Sequence, residues 1–349
     1  MDLHKAGDYA VKPTIEEIKH NHIADLKTQA KYGVRFIQYW INEEAGLVFC
    51  LMEAPDKESC IATHRAAHGN MACNIIELKG GDYQTFMGDG RPNEFDIAEH
   101  MEGVLDPGNR SIVVAELFAR ANDAYPFIQL KETAKKMGGR EVSFKGRRMR
   151  FVFNNAFDAL KCAQAFRSAL ADRMENHFEI RIGISSGAPV TERDSIFADA
   201  IQLGDWICDI CKNGKIIICS QTSTVTLSAS EGSTSNIERL KPADEKFIRS
   251  IMPVLSSALS GGTFSIETLG MEVGISQAQL YRKIVGLTGY SPNAFVQELK
   301  LRNSLRLLHQ EFGNVAQIAF ESGFNSPSYF TKSFRKRFGT SPLDQLKGR

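Results

Sequence analysis

The sequence lacks long apolar runs, has few cysteines and carries almost no net charge. No hydrophobic stretch approaches the roughly 18 residues that span a bilayer, which argues against a membrane protein. The segment Met1-Asp2-Leu3-His4 has neither the basic nor the apolar region of a secretory signal, so we expect a cytoplasmic location. The seven cysteines are scattered and odd in number, which argues against a disulfide framework.

Charge is unevenly distributed, although the net charge of the 349 residues is only +1. Residues 244–349 carry 13 Lys and Arg against 8 Asp and Glu, whereas residues 1–90 carry 9 against 13. A basic end on a near-neutral chain predicts that one domain meets a polyanion while the others do not.

Hydrophobic patterning predicts two α/β domains followed by an all-helical domain. Residues 1–88 alternate as β-α-β-β-α-β, which is the ferredoxin-like pattern. Residues 89–110 are rich in Gly, Pro, Asp and Asn and predict a linker, and residues 111–226 alternate again as a second α/β domain. A second linker is predicted at 227–243, around the Ser/Gly/Thr-rich segment 228–235, and residues 244–349 form the helical domain.

The helical domain repeats one plan twice. Helix Ser265–Val273 is followed by a turn at Gly274 and a second helix that Ser276 caps and that runs to Leu287. Later, helix Val315–Ser322 is followed by Gly323 and a helix that Ser326 caps and that runs to Phe338. A glycine in the turn permits positive φ, and each serine satisfies free N–H groups. The spacing predicts two helix-turn-helix units whose second helices enter major grooves.

This segment resembles the AraC/XylS family of transcription regulators. The resemblance rests on Ser276-Gln277-Ala278-Gln279-Leu280-Tyr281-Arg282, on Ile318-Ala319-Phe320-Glu321-Ser322-Gly323-Phe324 and on the closing Phe338-Gly339-Thr340-Ser341-Pro342. It implies base contacts by Ala278, Tyr281, Arg282, Ser328, Tyr329 and Lys332. Periodicity places Gln277, Gln279, Lys283 and Ser333 on the same outward faces, and the basic run Arg335, Lys336 and Arg337 is expected to hold phosphates.

The middle domain resembles class III nucleotide cyclases through Arg181-Ile182-Gly183-Ile184-Ser185-Ser186-Gly187 and Gly214-Lys215-Ile216-Ile217-Ile218. That reaction needs two carboxylates for two metal ions. By resemblance, Glu116 stands at the first position, but Arg147 stands at the second, and Gln202 and Trp206 replace the remaining polar pair. We therefore expect no catalytic residues and no enzymatic activity. The domain is then either a dimerisation module or a pocket in which Lys145, Arg147 and Arg148 hold phosphate.

The N-terminal domain is rich in histidine. His64 and His68 lie four residues apart on one helix face, where two imidazoles can chelate one ion. His4, His22 and either Cys50 or Glu53 are further candidate ligands. The segment Tyr39–Pro55 with His64–Gly69 resembles a small bacterial family in which some members bind nickel, a metal that accepts imidazole and carboxylate. The alternative is that these histidines are surface or capping residues.

The sequence thus predicts a DNA-binding transcription regulator that responds to a metal ion, with nickel favoured, or to a small ligand. Double-stranded DNA, a second copy of the chain and RNA polymerase are the expected partners. Two alternatives stay open: a divergent cyclase with a DNA-binding tail, and an architectural DNA-binding protein that needs no ligand.

Overall fold

A computed structural model describes residues 1–5, 13–88, 90–100, 103–119, 125–171, 178–222, 236–259, 265–310 and 312–347. The chain forms two compact units, Met1–Ser111 with Ser186–Ile201, and Ile112–Ser185 with Gln202–Arg349. The predicted linker segment 228–235 lies outside the described residues. No helix in the described part combines the length and the apolar character needed to cross a membrane.

The first unit contains a four-stranded antiparallel sheet in the order β2-β3-β1-β4. Its strands are β1 (Asp2–Lys5), β2 (Arg35–Asn42), β3 (Leu47–Glu53) and β4 (Asn74–Ile75), and its helices are α1 (Ile15–Thr28) and α2 (Lys57–Ala67). Thr14 and Asp56 cap the two helices by accepting bonds from the main chain. This order is the ferredoxin-like arrangement that the sequence predicts.

Ordered structure also occupies the segment predicted as the first linker. It contains β5 (Arg91–Pro92) and β6 (Ala98–Glu99), and α3 (Asp82–Met87) precedes it. The buried Arg110 donates to both carboxylate oxygens of Asp106, at 2.9 and 2.7 Å. The described part of 89–110 therefore belongs to the first compact unit, and the domain boundaries stay a prediction.

The second unit contains a six-stranded sheet in the order β12-β11-β10-β7-β9-β8. The strands are β7 (Arg110–Ala119), β8 (Arg140–Lys145), β9 (Arg148–Phe153), β10 (Phe178–Gly187), β11 (Ile216–Ile218) and β12 (Ile237–Arg239). The helices that accompany them are α4 (Tyr125–Lys136), α5 (Ala156–Ala169) and α6 (Ala198–Ile210). Helix α6 packs closely on β10, because a Cβ on Gly183 would lie 2.7 Å from the main chain of Cys208.

In the described part of residues 242–347 seven helices follow, and they confirm the double helix-turn-helix. They are α7 (Pro242–Leu259), α8 (Ile266–Glu272), α9 (Gln277–Thr288), α10 (Pro292–His309), α11 (Val315–Glu321), α12 (Pro327–Phe338) and α13 (Pro342–Lys347). Ser276 and Ser326 cap α9 and α12 as predicted, and Gly274 and Gly323 make the turns at φ 68° and 78°. The apolar residues on the inner faces of the two helix-turn-helix units are buried, except Val273, which is half-buried; the buried ones are Leu269, Leu280, Ile284, Ile318, Ala319, Phe324, Phe330 and Phe334.

One hydrophobic cluster joins the helical region to the six-stranded sheet. Trp206 on α6 and Ile217 on β11 pack with Ile248 on α7, Leu280 on α9 and Phe295 on α10. Burying these side chains together contributes on the order of 1.5–3 kcal/mol each. This shared core explains why the two regions form one compact unit.

Candidate DNA-binding surface and metal centre

The outward face of α9 contains the three predicted base-reading residues of the first helix-turn-helix unit, Ala278, Tyr281 and Arg282. Gln277, Ala278, Gln279, Tyr281 and Arg282 are exposed. The side chain of Gln279 also accepts a bond from the main-chain N–H of Ser276, at 3.4 Å, so part of its polar capacity serves the helix cap.

Lys283, by contrast, is half-buried beside α7. Its Nζ lies 3.8 Å from an oxygen of Asp244 and 4.9 Å from the centre of the Phe247 ring. Lys283 therefore stands at the edge of the reading surface.

The outward face of α12 carries the second set. All five predicted residues here are exposed: Ser328, Tyr329, Lys332, Arg335 and Lys336. Four of them, all but Tyr329, line one shallow surface cavity together with Pro327 and Thr331. The hydroxyl of Tyr329 accepts a bond from Gln297 on α10 at 3.1 Å, which helps to orient its ring.

Two outward-facing residues predicted on α12 are placed differently by the structure. Ser333 is buried, and its hydroxyl accepts a bond from Gln297 at 3.3 Å. Arg337 donates to Glu179 on β10 and to Glu298 on α10 at 2.7–3.0 Å, and these carboxylates raise its pKa. The Arg337 guanidinium therefore pairs with carboxylates of the protein and does not contact DNA phosphates.

In the first unit, three histidines surround two buried aspartates. His64 Nε2 lies 2.8 Å from Asp2 Oδ2, and its Nδ1 lies 3.1 Å from Asp25 Oδ1. His4 Nε2 approaches Asp2 at 3.4 Å, and His68 Nε2 approaches Asp25 at 3.2 Å. We call these five residues the histidine–aspartate cluster.

The cluster offers two sets of donor atoms with metal-like spacing. In Asp2, His4 and His64, and again in Asp25, His64 and His68, one donor atom from each side chain lies within 4.8 Å of the others. Four side chains of these sets, His4, Asp25, His64 and His68, line a cavity of about 30 Å³, which has room for a water-sized species. Buried imidazoles and carboxylates in this arrangement suit a divalent transition metal.

The pKa values of Asp2, Asp25 and His64 are shifted by their neighbours in the cluster. Burial disfavours the charged imidazole, yet the hydrogen bonds that His64 donates to Asp2 and Asp25 raise its pKa to about 10. Burial alone would raise the pKa of Asp2, but His4 and His64 hold it well below its usual range. The cluster is therefore held by ion pairing, with His64 as the shared cation.

The predicted ligand set matches this cluster only in part. His4, His64 and His68 come together, and His22 and Cys50 line the same cavity. His22 Nε2, however, lies 3.0 Å from Asp96, outside the cluster.

Glu53 is left out of the cluster, because its exposed carboxylate lies 2.8 Å from Arg35. Sequence reasoning missed Asp2 and Asp25. Asp2 alternates with His4 on one strand face, and Asp25 follows His22 by three residues on one helix, so the periodicity contained the signal.

The basic hairpin of the second unit is paired internally. Arg148 Nη2 donates to Glu116 at 3.0 Å and to Asp209 at 2.6 Å, and Arg302 on α10 donates to the same two carboxylates. Lys145 is exposed, whereas Arg147 is buried and donates to His309 at 2.7 Å. The prediction that Arg148 is open to phosphate is therefore not supported, since carboxylates already neutralise it.

Comparison with protein families finds two matches in this chain. Residues 269–347 match a family described as a helix-turn-helix domain, and residues 1–78 match one described as nickel responsive protein SCO4226-like.

Among curated proteins, "Histidine kinase P4" of Formosa agariphila is 30% identical over 115 residues, which are 31% of this chain and 8% of that protein. The HTH-type transcriptional regulator MtrA of Neisseria gonorrhoeae is 32% identical over 79 residues, which are 23% of this chain and 26% of that protein. The chain thus spans under a third of the length of either relative.

Two solved structures are similar to parts of the chain. An AraC-type transcriptional regulator from Chromobacterium violaceum is 22% identical, with a TM-score of 0.29, over 31% of this chain and 95% of that one. An adenylate/guanylate cyclase/hydrolase from Silicibacter pomeroyi is 22% identical, with a TM-score of 0.31, over 35% of this chain and 82% of that one. The family and sequence matches identify the C-terminal region as an AraC-type helix-turn-helix DNA-binding domain, joined in one chain to an N-terminal domain similar to SCO4226-like proteins.

Proposed function

We propose that this protein is a sequence-specific transcription regulator that acts in the cytoplasm and binds double-stranded DNA as a homodimer. Binding of a divalent transition metal, with nickel favoured, to the first unit regulates its DNA affinity. The observation that carries the proposal is the pair of exposed polar helix faces on α9 and α12, within a segment that matches a helix-turn-helix family. Contact with RNA polymerase is the route to activation.

On DNA, the two helices have parallel roles. Ala278, Tyr281 and Arg282 read bases in one major groove, and Ser328, Tyr329 and Lys332 read them in the next. Gln277, Gln279, Lys283, Arg335 and Lys336 lie beside these residues and hold the phosphate backbone. Arg282 supplies the strongest discrimination, because a guanidinium can read guanine through two bonds.

In the first unit, the histidine–aspartate cluster holds the metal. Asp2, His4 and His64 form one donor set, and Asp25 and His68 form the other around the same imidazole. The metal supplies positive charge where His64 otherwise carries a proton. A bound ion ties β1, α1 and α2 together, and this stabilises the conformation that binds it better.

We propose no catalytic role for the second unit. Glu116, the carboxylate at the position that resembles a cyclase metal ligand, is bonded to both Arg148 and Arg302. A divalent cation placed beside two guanidinium groups is repelled, so metal-dependent chemistry is disfavoured there.

The test uses the purified full-length chain and a random pool of duplex DNA, with and without nickel chloride. We expect enrichment of a defined sequence, a nickel-dependent change in its affinity, and loss of that change in His68→Ala. His20→Ala is the matched control, since His20 is an exposed histidine on α1. Failure to enrich any sequence would refute the DNA-binding role, and an unchanged nickel response in both His64→Ala and His68→Ala would refute the metal site.

A further inference from the structure

The cavity beside the histidine–aspartate cluster is lined by one complete set of metal donors. Asp25, His64 and His68 all border it, whereas Asp2 of the other set is not among its lining residues. A metal ion on the first of these sets is therefore expected to border the cavity. Three protein donors leave at least one coordination position open, because divalent transition metals usually take roughly four to six ligands.

Tyr39 on β2 lines the same cavity, and its hydroxyl is unsatisfied. The residue is only 1% exposed, and the hydroxyl has no hydrogen-bond partner among the described residues. A buried hydroxyl without a partner is costly, and such groups are rare in folded proteins. The Tyr39 hydroxyl therefore points to a polar species in the cavity.

The fold holds Tyr39 in place on several sides. Its main chain pairs with Cys50 on β3, and its N–H donates to the carbonyl of Asp96 at 2.9 Å. Its ring centre lies 4.5 Å from that of His22, whose Nε2 lies 3.0 Å from the Asp96 carboxylate. The phenol therefore has little freedom to turn towards another partner.

Asp96, which contacts both Tyr39 and His22, has an uncommon backbone conformation. Its φ is 62°, a region that few residues with a side chain adopt. Such conformations persist where the surrounding structure enforces them, and they cluster at ligand sites. Asp96 also lies beyond residue 78, where the match to SCO4226-like proteins ends, so this support for Tyr39 comes from outside the matched segment.

Charge balance favours a neutral ligand at the open position. The carboxylates of Asp2 and Asp25 already balance a divalent ion, since histidines bind metal in the neutral form. A further anion would leave net negative charge in a buried site, which desolvation disfavours. The thiol of Cys50 also lines the cavity and is the rival ligand, but it would bind as an anion.

We propose that a water molecule occupies this cavity, completes the coordination of the metal and donates a hydrogen bond to the Tyr39 hydroxyl. A metal ion polarises a bound water and strengthens it as a donor, and the phenol oxygen can accept. Tyr39 is thus a positioning residue that acts on the metal through water. The inference rests on the metal site proposed above and adds that this site keeps one position for an exchangeable ligand.

The first test compares Tyr39→Phe with the wild-type full-length chain. Without metal, we expect the variant to melt at or above the wild-type temperature, because it loses only a hydroxyl that has no partner. In calorimetric titration with nickel chloride, the same variant should bind about two- to tenfold more weakly, as loss of one hydrogen bond implies. General damage to the fold would not give these opposite signs. Tyr32→Phe is the matched control, since Tyr32 is a half-buried tyrosine outside the lining of the cavity.

The second test detects the water directly by pulsed electron paramagnetic resonance in D₂O. Copper(II) replaces nickel as the probe, because it binds similar ligands more tightly. We expect deuterium modulation from one coordinated water in the wild type and in Tyr32→Phe, and weaker modulation in Tyr39→Phe.

Three results would overturn the inference. They are no coordinated water in the wild type, wild-type nickel affinity and modulation in Tyr39→Phe, and a thiolate-to-copper absorption band that Cys50→Ser abolishes. The last result would place Cys50 at the open position. Each of them is observed on a chain that binds metal, so the metal site would survive. A wild-type chain that binds no nickel would instead refute the metal site, and this inference with it.

Discussion

Arg282 and Lys332 occupy matching exposed positions, each six residues after the serine that caps its helix. We expect Arg282→Ala to weaken binding to the selected DNA by about 1–3 kcal/mol and to relax the preference at one base pair. Lys332→Ala is expected to weaken binding and to relax a second position one helical turn away. Fluorescence anisotropy on single-base variants measures both effects. Arg249→Ala should bind like wild type, and an unaltered base preference in Arg282→Ala would contradict the reading role.

Asp25 is a donor in the cluster that the structure shows, but it is absent from the ligand set predicted from the sequence. We expect Asp25→Asn to weaken nickel binding at least tenfold, because it removes a charged donor that faces both His64 and His68. Glu53→Gln should have no effect, since that carboxylate pairs with Arg35. Competition with a chelator measures both affinities. Equal losses of nickel affinity in Asp25→Asn and Glu53→Gln would instead support Glu53 as a ligand, as the sequence predicts.

Glu116 makes the stability of the second unit depend on pH. Burial opposes its charge, but Arg148 and Arg302 lower its pKa to about 2 from an ordinary 4.5. Its stabilisation is therefore complete above pH 4.5 and is lost as pH falls towards 2.

We expect the free energy of unfolding in urea to fall more steeply over this interval in the wild type than in Glu116→Gln. At neutral pH that variant should be about 3–5 kcal/mol less stable, because it leaves two buried guanidinium groups undercompensated. Glu267→Gln, on the exposed face of α8, is the control. Parallel pH curves for the wild type and Glu116→Gln would contradict the shifted pKa.

At the scale of elements, the turns of the two helix-turn-helix units differ in the space that they leave for a side chain at the turn glycine. Gly274 has φ 68° with no atom near an added Cβ, whereas at Gly323, with φ 78°, the Cβ would lie 3.1 Å from Lys300 and 3.3 Å from the carbonyl of Leu259. We expect Gly274→Ala to cost about 1–2 kcal/mol from its backbone conformation alone. Gly323→Ala should cost more.

Gly286, inside α9, is the control for this pair. It has open space and no positive φ, so Gly286→Ala should stabilise the protein by about 0.5–1 kcal/mol. Chemical denaturation ranks the three variants. Equal costs at Gly274 and Gly323 would show that the turn at Gly323 relaxes around the methyl group.

The helix-turn-helix elements could be predicted because their signals are local. A cap such as Ser276 and a turn residue such as Gly274 each act on residues a few positions away. The local sequence therefore predicts where α9 begins. The two-residue strands β5 and β6 and the three-residue β12 were missed, since such short pairings leave no periodic pattern.

The charged contacts of the second unit could not be predicted from sequence. Arg302 meets Glu116 across 186 positions, and Arg337 meets Glu179 across 158. The sequence around each of these arginines is the same in character as that around an arginine that faces DNA. The sequence therefore predicts Arg337 as a phosphate contact, although it pairs with carboxylates. Only the packing of α10 and α12 on the sheet determines their partners.

At the scale of the whole molecule, sequence periodicity separates the middle and helical regions, yet they share one hydrophobic core. Trp206 and Ile217 from the sheet region pack with Ile248 and Leu280 from the helical region. Periodicity shows which face of an element is apolar but not which other element covers it. Helix α9 therefore packs on the same hydrophobic cluster as the sheet, although the sequence pattern assigns the two to separate domains.

Metal binding and DNA binding must affect each other equally if the proposed regulation is correct. When nickel changes the affinity for DNA by some factor, DNA changes the affinity for nickel by that same factor. We expect a factor of about 5–150, the usual range of coupling free energies. The measurement is a closed cycle: nickel titrations of the free chain and of its DNA complex, and DNA titrations with and without nickel.

In His68→Ala the coupling should vanish while metal-free DNA binding persists, because this variant removes one metal donor and leaves the ion pairs of His64 with Asp2 and Asp25 in place. His20→Ala should keep the full factor. Tight nickel binding with a factor of one in the wild type would mean that the metal stabilises the first unit without regulating DNA.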